Sequence, residues 1–279
     1  MTQNVRLDVG KLSITVLTDG ATEFEPEQFL NTSEDEIDTI LAACHADAIQ
    51  TNFNAFLIEG GDGITLVDAG VRDLFGPVAG HLPETLAKAG VRPDEITRLV
   101  FTHMHPDHVA GAITADGAAV FTNAEVVVNE AERDFWADPA NVAGKGETLE
   151  GWQQVAAAVL SAYGDQVSAV KGAATIASGI EAMPLPGHTP GHMGLRVSDG
   201  DAQALIAADI VHAQVLQLTN PEIGIGFDLD PDAARDARKA ILDQMASDGV
   251  VFTGGHILGP NKFGRVERKG TGYAFVPVT

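Results

Sequence analysis

Thr102-His103-Met104-His105-Pro106-Asp107-His108, directly after Arg98-Leu99-Val100-Phe101, decides how this chain is read. The largely apolar run reads as a buried strand, and the side chains able to bind metal crowd in immediately behind it. In extended backbone, residues two apart face the same side, so His103 and His105 point together as the strand opens into a loop. Pro106 keeps His105 extended and suits the first turn of a helix, which sets Asp107 and His108 on the turn beside them. Burying these imidazoles and a carboxylate together without a cation would leave polar groups lacking partners. The segment therefore predicts a metal centre, and its layout suits two ions.

Three further candidates lie far downstream, each after a short apolar stretch. They are His188 in Leu185-Pro186-Gly187-His188-Thr189-Pro190-Gly191-His192, Asp209 after Ala204-Leu205-Ile206-Ala207-Ala208, and His256 in Gly254-Gly255-His256. Strand ends followed by glycine, proline and ligand residues present a site on loops over a rigid scaffold. With H-x-H-x-D-H first, then a histidine, an aspartate and a final histidine, the chain resembles the metallo-β-lactamase superfamily of hydrolases. The resemblance implies an α/β fold, a four-layer αββα sandwich, in a single domain over 1–279. It also implies two divalent metal ions, with His103, His105 and His188 on one, Asp107, His108 and His256 on the other, and Asp209 bridging them. Imidazole and carboxylate donors without thiolate independently suit catalytic zinc, with iron or manganese as alternatives. Asp68, in Ile64-Thr65-Leu66-Val67-Asp68-Ala69-Gly70, matches an early strand-end aspartate of the family that orients a ligand imidazole; capping a turn is its other reading. His192 is either such a support or a loop residue, and the isolated His45 and His81 read as ordinary surface or core histidines.

The activity implied is attack of a metal-bridging hydroxide on a lactone, ester or related electrophile, with Asp107 orienting the nucleophile and Asp209 fixing the metals. Acyl-homoserine lactonases of this fold carry a tyrosine three residues beyond the bridging aspartate, where this chain has His212. The run Ala208-Asp209-Ile210-Val211-His212-Ala213, with Asn220-Pro221-Glu222 and Phe227-Asp228-Leu229-Asp230-Pro231, is similar to the methyl parathion hydrolase branch and its lactonase and aryl-esterase relatives. Asn123-Ala124-Glu125-Val126 and Glu132-Arg133-Asp134-Phe135-Trp136 add to that similarity. His212 is then a catalytic donor to the reacting oxygen or a structural neighbour of the ligands. Phosphotriester hydrolysis would be a promiscuous side activity. A glutathione thioesterase would need a basic surface, for which Lys262, Arg265, Arg268 and Lys269 are the only cluster; solvated strand surface explains them more simply. A persulfide dioxygenase type of oxidoreductase would keep a single iron.

The 279 residues are 45% hydrophobic, enough for a substantial core, and carry a formal charge of −22 that repels phosphates. Nucleic acid is excluded as a partner on that ground, and a neutral, moderately apolar small molecule is favoured. The stretch Met1 to Val9 lacks the features of a signal peptide, no apolar run is long enough to span a bilayer, and a lone cysteine forms no intrachain disulfide. The expectation is a cytoplasmic protein without membrane contact, and a homodimer by analogy with the family. Cys44, in Ala42-Ala43-Cys44-His45, is expected to be a buried helix residue. Phe53, Phe135, Trp136, Trp152, Phe227 and Phe263 are expected to pack in the core rather than line a pocket. Strands are predicted at Leu12 to Leu17, in a hairpin of Asn54 to Ile58 and Ile64 to Val67, at Gly194 to Val197, Ala204 to Ala208, Val250 to Thr253 and Arg265 to Glu267. Helices are predicted near Val78 to Ala89, Ala131 to Trp136, Glu147 to Tyr163 and Pro231 to Ser247, the last capped by Asp230 and stopped by Gly249.

Overall fold

Side-chain alternation along each strand sorts this chain into layers. A computed structural model describes residues 4–278; Met1 to Gln3, part of the amino-terminal stretch read above, and Thr279 lie outside the described residues. One seven-stranded sheet holds, in spatial order, β1 (Val5–Val9), β2 (Leu12–Phe24), β3 (Ile49–Gly61), β4 (Gly63–Val67), β5 (Arg98–Val100), β6 (Glu125–Asn129) and β7 (Val167–Val170). The other runs β8 (Ala174–Ala177), β9 (Ile180–Pro184), β10 (Met193–Asp199), β11 (Ala202–Ile206), β12 (Val251–Thr253), β13 (Gly264–Lys269) and β14 (Gly272–Pro277). Within each sheet these strands lie side by side in their order along the chain.

Period-two burial explains the sandwich. In β3, Phe56 and Ile58 face the second sheet while Leu57 faces the helices; in β4, Val67 and Leu66 divide the same way. In β11, Ala204 and Ile206 point into the space between the sheets and Leu205 points out. Helices cover both outer faces: α2 (Leu82–Lys88), α4 (Glu130–Ala137) and α5 (Glu147–Tyr163) on the first sheet, α6 (Gln214–Thr219) and α7 (Pro231–Asp248) on the second. A further helix, α1 (Glu34–Cys44), packs Ile37 and Ile40 with Leu216 of α6. This is the expected α/β fold, two sheets flanked by helices.

The predicted hairpin, α5 and α7 are present, with Asp230 accepting from Ala233 N at 3.0 Å and Gly249 closing α7 at φ +62°. The Ala204 to Ala208 strand ends earlier, at Ile206, because the chain turns there into the short helical turn that carries Asp209. Cys44 is exposed rather than buried; it sits on the last turn of α1, beside the hydroxyl of Thr219. Among the described residues no helix is long and apolar enough to cross a membrane.

Parallel pairing of β4, β5, β6 and β7, and of β11 with β12, aligns the carboxyl ends of these strands at one edge of the sandwich. The loops that leave there carry the candidate ligands. One of them, Ala110 to Phe121, is tied to α5 by Tyr163, whose hydroxyl donates to Ala112 O (2.8 Å) and accepts from Phe121 N (3.2 Å). Burial pushes that phenol up to about 12. Tyr163→Phe should cost about 1–3 kcal/mol, read as a lower urea midpoint at unchanged slope, because it leaves the buried Phe121 amide unpaired, while the Ala112 carbonyl keeps its bond from Val120 N (2.9 Å).

Candidate metal centre

Asp209 sits where the loop ends converge. Its Oδ2 lies 3.0 Å from His256 Nε2, 3.2 Å from His108, 3.3 Å from His212, 3.5 Å from His188 and 3.7 Å from His103, all at Nε2. Asp107 completes the far side, with Oδ2 3.3 Å from His108 Nε2 and 3.7 Å from His256 Nε2. The side chains fall into groups able to hold a cation: His103, His105 and His188; Asp107, His108, Asp209 and His256; and a third, His188, Asp209 and His212. All seven expected ligands and His212 are thus in one place.

Each element contributes through its end. β5 stops at Val100, the chain bends at Thr102, His105 is extended (ψ 152°), and Pro106 opens α3 (Pro106–Val109), so Asp107 and His108 rise on the first turn as expected. Gly255 precedes His256 because a Cβ there would collide with Asp209 Oδ1. Asp68 and Ala208 adopt left-handed φ of +61° and +47° at the ends of β4 and β11, a strained conformation for residues with a Cβ.

The groups behind the imidazoles fix their orientation. His108 Nδ1 donates to Asp68 Oδ2 (2.9 Å), His188 Nδ1 to Asp228 Oδ1 (2.8 Å) and His256 Nδ1 to the Asn52 carbonyl (2.8 Å). Asp68 also accepts from Thr102 N (2.9 Å) and Thr102 Oγ1 (2.8 Å), and that hydroxyl lies 3.2 Å from His103 Nδ1. With Nδ1 as donor, each Nε2 presents its lone pair to the centre. The Nε2 atoms of His103, His105, His108 and His188 and Oδ1 of Asp209 are buried without any hydrogen-bond partner. Converging, unpartnered lone pairs facing a carboxylate repel one another, and a divalent cation is the chemistry that satisfies them; the donor set fits the group.

Electrostatics divide the imidazoles into two sets. Burial, reinforced by neighbouring imidazoles, holds His103, His105 and His188 well below the ordinary imidazole value, so they are neutral and available as donors. Burial also lowers His108 and His256, but the facing carboxylates of Asp209 and Asp107 outweigh it and hold both above that value. Burial would raise the Asp209 and Asp107 carboxyls, and the surrounding imidazoles override it, keeping both ionised.

His192 resolves to a support: its Nδ1 donates to Leu185 O (2.7 Å) and its Nε2 accepts from Asp209 N (3.1 Å), with burial pushing it down to about 4. Asp68 is the orienting partner of His108, as the strand-end reading anticipated. Neither Asp228 nor Glu132 was singled out from sequence as a support of the site. Glu132, fully buried, accepts from Met104 N (2.8 Å), Trp136 Nε1 (2.7 Å), Thr189 Oγ1 (2.7 Å) and Gly191 N (2.9 Å). It joins the His103 to His105 segment to the loop that carries His188.

A cavity of about 350 Å³ opens over the centre, walled by Phe24, Phe53, Phe75, Val78, Trp152 and Phe227 with Glu23 and Gln28 among its polar lining. Phe53, Trp152 and Phe227 pack with core clusters as expected, Phe53 buried beside Val71 and Ala79, and they also line the cavity, which was not expected of them. Trp136 and Phe263 are buried core residues and Phe135 packs against the core, as expected. Among the described residues no lysine or arginine lines the cavity. Lys262, expected on solvated surface, is buried, its Nζ donating to Asn52 Oδ1 (2.8 Å), Asn54 Oδ1 (3.0 Å) and Ile257 O (2.9 Å).

Residues 51–256 match the sequence profile of the Metallo-beta-lactamase superfamily. A probable metallo-hydrolase of Mycobacterium bovis is 27% identical over 195 residues, 61% of this chain, and the chain spans only 57% of that protein's length. Among solved structures, the fold is similar to a hydrolase named AbOPH of the beta-lactamase superfamily (TM-score 0.93, 28% identity, covering 100% of this chain and 98% of that one). It is also similar to AidC, a dizinc quorum-quenching lactonase in complex with a product, N-hexanoyl-L-homoserine (TM-score 0.91, 26% identity, 100% and 98% coverage).

Burial pushes the Lys262 amine from 10.5 down to about 7. The unfolded chain then binds a proton that the folded chain releases, so this group's contribution to stability rises with pH between about 7 and 10.5. Denaturation of the wild type and of Lys262→Met across that window should show a stability difference that shifts in favour of the wild type as pH increases. A pH-independent difference would place the amine in water-like surroundings.

Proposed function

Because the chain belongs to the metallo-β-lactamase superfamily, we propose that it is a hydrolase that holds two divalent metal ions and acts on neutral, moderately apolar lactones and esters. His103, His105 and His188 would hold one ion, Asp107, His108 and His256 the other, and Asp209 both. The observation that carries this reading is the set of buried, unpartnered Nε2 atoms aimed at Asp209 beneath an aromatic cavity. Bound there, the ions supply Lewis acidity that lowers the pKa of water and polarises a carbonyl or phosphoryl oxygen.

The chain's own residues do the rest. Asp209, held ionised by the imidazoles around it, sets the spacing of the two ligand groups. Asp107 is the ligand most open to the cavity, its side chain 16% exposed, so its free lone pairs can orient a water on the cavity floor. His212 borders the same floor, its Nε2 3.3 Å from Asp209 Oδ2, and is the nearest side chain with a ring nitrogen to offer a substrate oxygen. The aromatic walls exclude water and receive the apolar part of the substrate. The lactone class draws support from the likeness to AidC over the whole chain.

A glutathione thioester carries carboxylates, and no lysine or arginine among the described residues lines the cavity to receive them. Of the basic cluster once available for that reading, Lys262 is buried, Arg265 donates to Gly249 O and Arg268 is engaged by Asp243 and Ser247. The complete second ligand group, with Asp107, His108, Asp209 and His256, supports two ions over the single iron of a dioxygenase.

Metal-quantified assays across lactones, aryl esters, phosphotriesters and glutathione thioesters test this reading, which predicts turnover of the first two classes at two metals per chain. Asp209→Ala should lose more than about 100-fold in kcat/KM together with bound metal, exceeding the effect typical of an outer support. Near wild-type turnover with full metal content would remove Asp209 from the mechanism. His212→Ala should lower kcat by about 10–100-fold while metal content holds; loss of metal instead would make it a support of the ligands.

A further inference from the structure

Asp19 lies at a break in the β2–β3 ladder. The register shifts between Thr18 and Gly20, so Asp19 is an extra residue whose side chain is turned out of the ladder, as β-bulges do. It is fully buried, and its carboxylate is satisfied by backbone amides from one loop. Oδ2 accepts from Val71 N (2.9 Å) and Gly80 N (3.3 Å), and Oδ1 from Leu82 N (2.6 Å); the Asp19 carbonyl accepts from His81 N (2.9 Å). Both ends of the segment between Val71 and Leu82 are thus held by one residue.

The neck is closed sterically as well. Gly80, at φ +92°, lies against the Arg72 carbonyl so closely that a Cβ would collide with it, and a Cβ on Gly70 would come within 2.6 Å of the Asp19 carboxylate. Beyond the neck, the tip carries Leu74, Phe75 and Val78, exposed by 41%, 40% and 47%, the most exposed large hydrophobics among the described residues. Phe75 and Val78 are also walls of the cavity over the metal centre, and the Phe75 ring sits 5.3 Å from that of Phe53. The loop therefore leaves part of its apolar tip in water and turns part toward the substrate space. A large apolar surface left uncovered beside a binding cavity marks where a ligand completes the burial.

We propose that Asp19 is a positioning residue that holds the 72–79 loop over the cavity and thereby sets the preference for substrates bearing an extended apolar acyl or aryl group. The proposal rests on the hydrolase reading above. Each methylene buried on the loop tip is worth about fourfold in kcat/KM by the usual transfer energy per buried methylene. An asparagine at position 19 keeps one acceptor oxygen and turns N–H donors on amides that are themselves donors, so it loosens the neck.

The test is the hydrolysis of 4-nitrophenyl esters from acetate to octanoate by metal-replete enzyme, with metal content measured alongside. In the wild type, kcat/KM should climb with chain length. In Asp19→Asn the octanoate value should fall by at least about tenfold on the per-methylene scale, with acetate hydrolysis and metal content held. Gly80→Ala disturbs the same neck from the Arg72 side while keeping the carboxylate group and should behave alike; it also covers the case in which Asp19→Asn does not fold. Hydrogen exchange at the Val71, Gly80 and Leu82 amides should speed up in Asp19→Asn. Equal losses on acetate and octanoate, or an unchanged chain-length dependence, would overturn the proposal. If the wild type cleaves no ester, the hydrolase reading fails by itself, and binding of octanoic acid decides the loop: weakened in Asp19→Asn it stands, unchanged it falls.

Discussion

Lone pairs on the neutral imidazoles of His103, His105 and His188 repel one another and the carboxylate beside them, so these rings do not order themselves. Five Nε2 atoms lie within 3.7 Å of a single oxygen of Asp209. Their arrangement has to be imposed from behind, and the fold is arranged to do so. Asp68, Asp228 and the Asn52 carbonyl take the Nδ1 protons of His108, His188 and His256, one from each loop region, which sets the tautomer as well as the direction of those three rings. The two sheets matter to the site because their parallel strands bring those loops out at one edge.

Legibility in the sequence followed covalent proximity. His103, His105, Asp107 and His108 are fixed relative to one another by strand, proline and helix geometry, so local rules placed them correctly. His188, Asp209 and His256 took their meaning from order and from the apolar runs before them, which the strands β9 and β10, β11 and β12 account for. Asp228 and Glu132 lay inside stretches that were read, yet nothing local marks a carboxylate as buried; only the approach of His188 to one, and of Met104, Thr189 and Gly191 to the other, gives them a role. Lys262 shows the same limit from the opposite side. The basic residues that follow it, Arg265, Arg268 and Lys269, are exposed, and it is buried because Asn52 and Asn54 of the other sheet supply its acceptors. The aromatic residues divided between core and cavity for a related reason: periodicity tells which face a side chain takes, not whether that face ends in protein or in an opening.

Glu132, Asp19 and Lys262 form a pattern outside the centre itself. Each is a buried ionisable group that is met mainly by neutral dipoles, four donors for Glu132, three amides for Asp19 and three acceptors for Lys262. Burial shifts all three toward their neutral forms, which measures the cost of keeping them inside. A hydrocarbon of the same size would avoid that cost and would hold nothing in a chosen direction, since apolar packing is not directional.

What the three groups hold is loop, not sheet or helix. Glu132 fastens the His103 to His105 segment to Thr189 and Gly191, Lys262 fastens β3 to the backbone beside His256, and Asp19 fastens the loop that walls the cavity. Loops have no ladder and little core of their own, so directional bonds from a buried charge are the means by which the sandwich can fix them. With no lysine or arginine among the described lining residues, discrimination along the walls falls to shape and apolar area. Apolar discrimination is shallow per atom and grows only with the extent of surface held in register. An enzyme that reads its substrate in this way depends on the stiffness of the wall as much as on the metals beneath it.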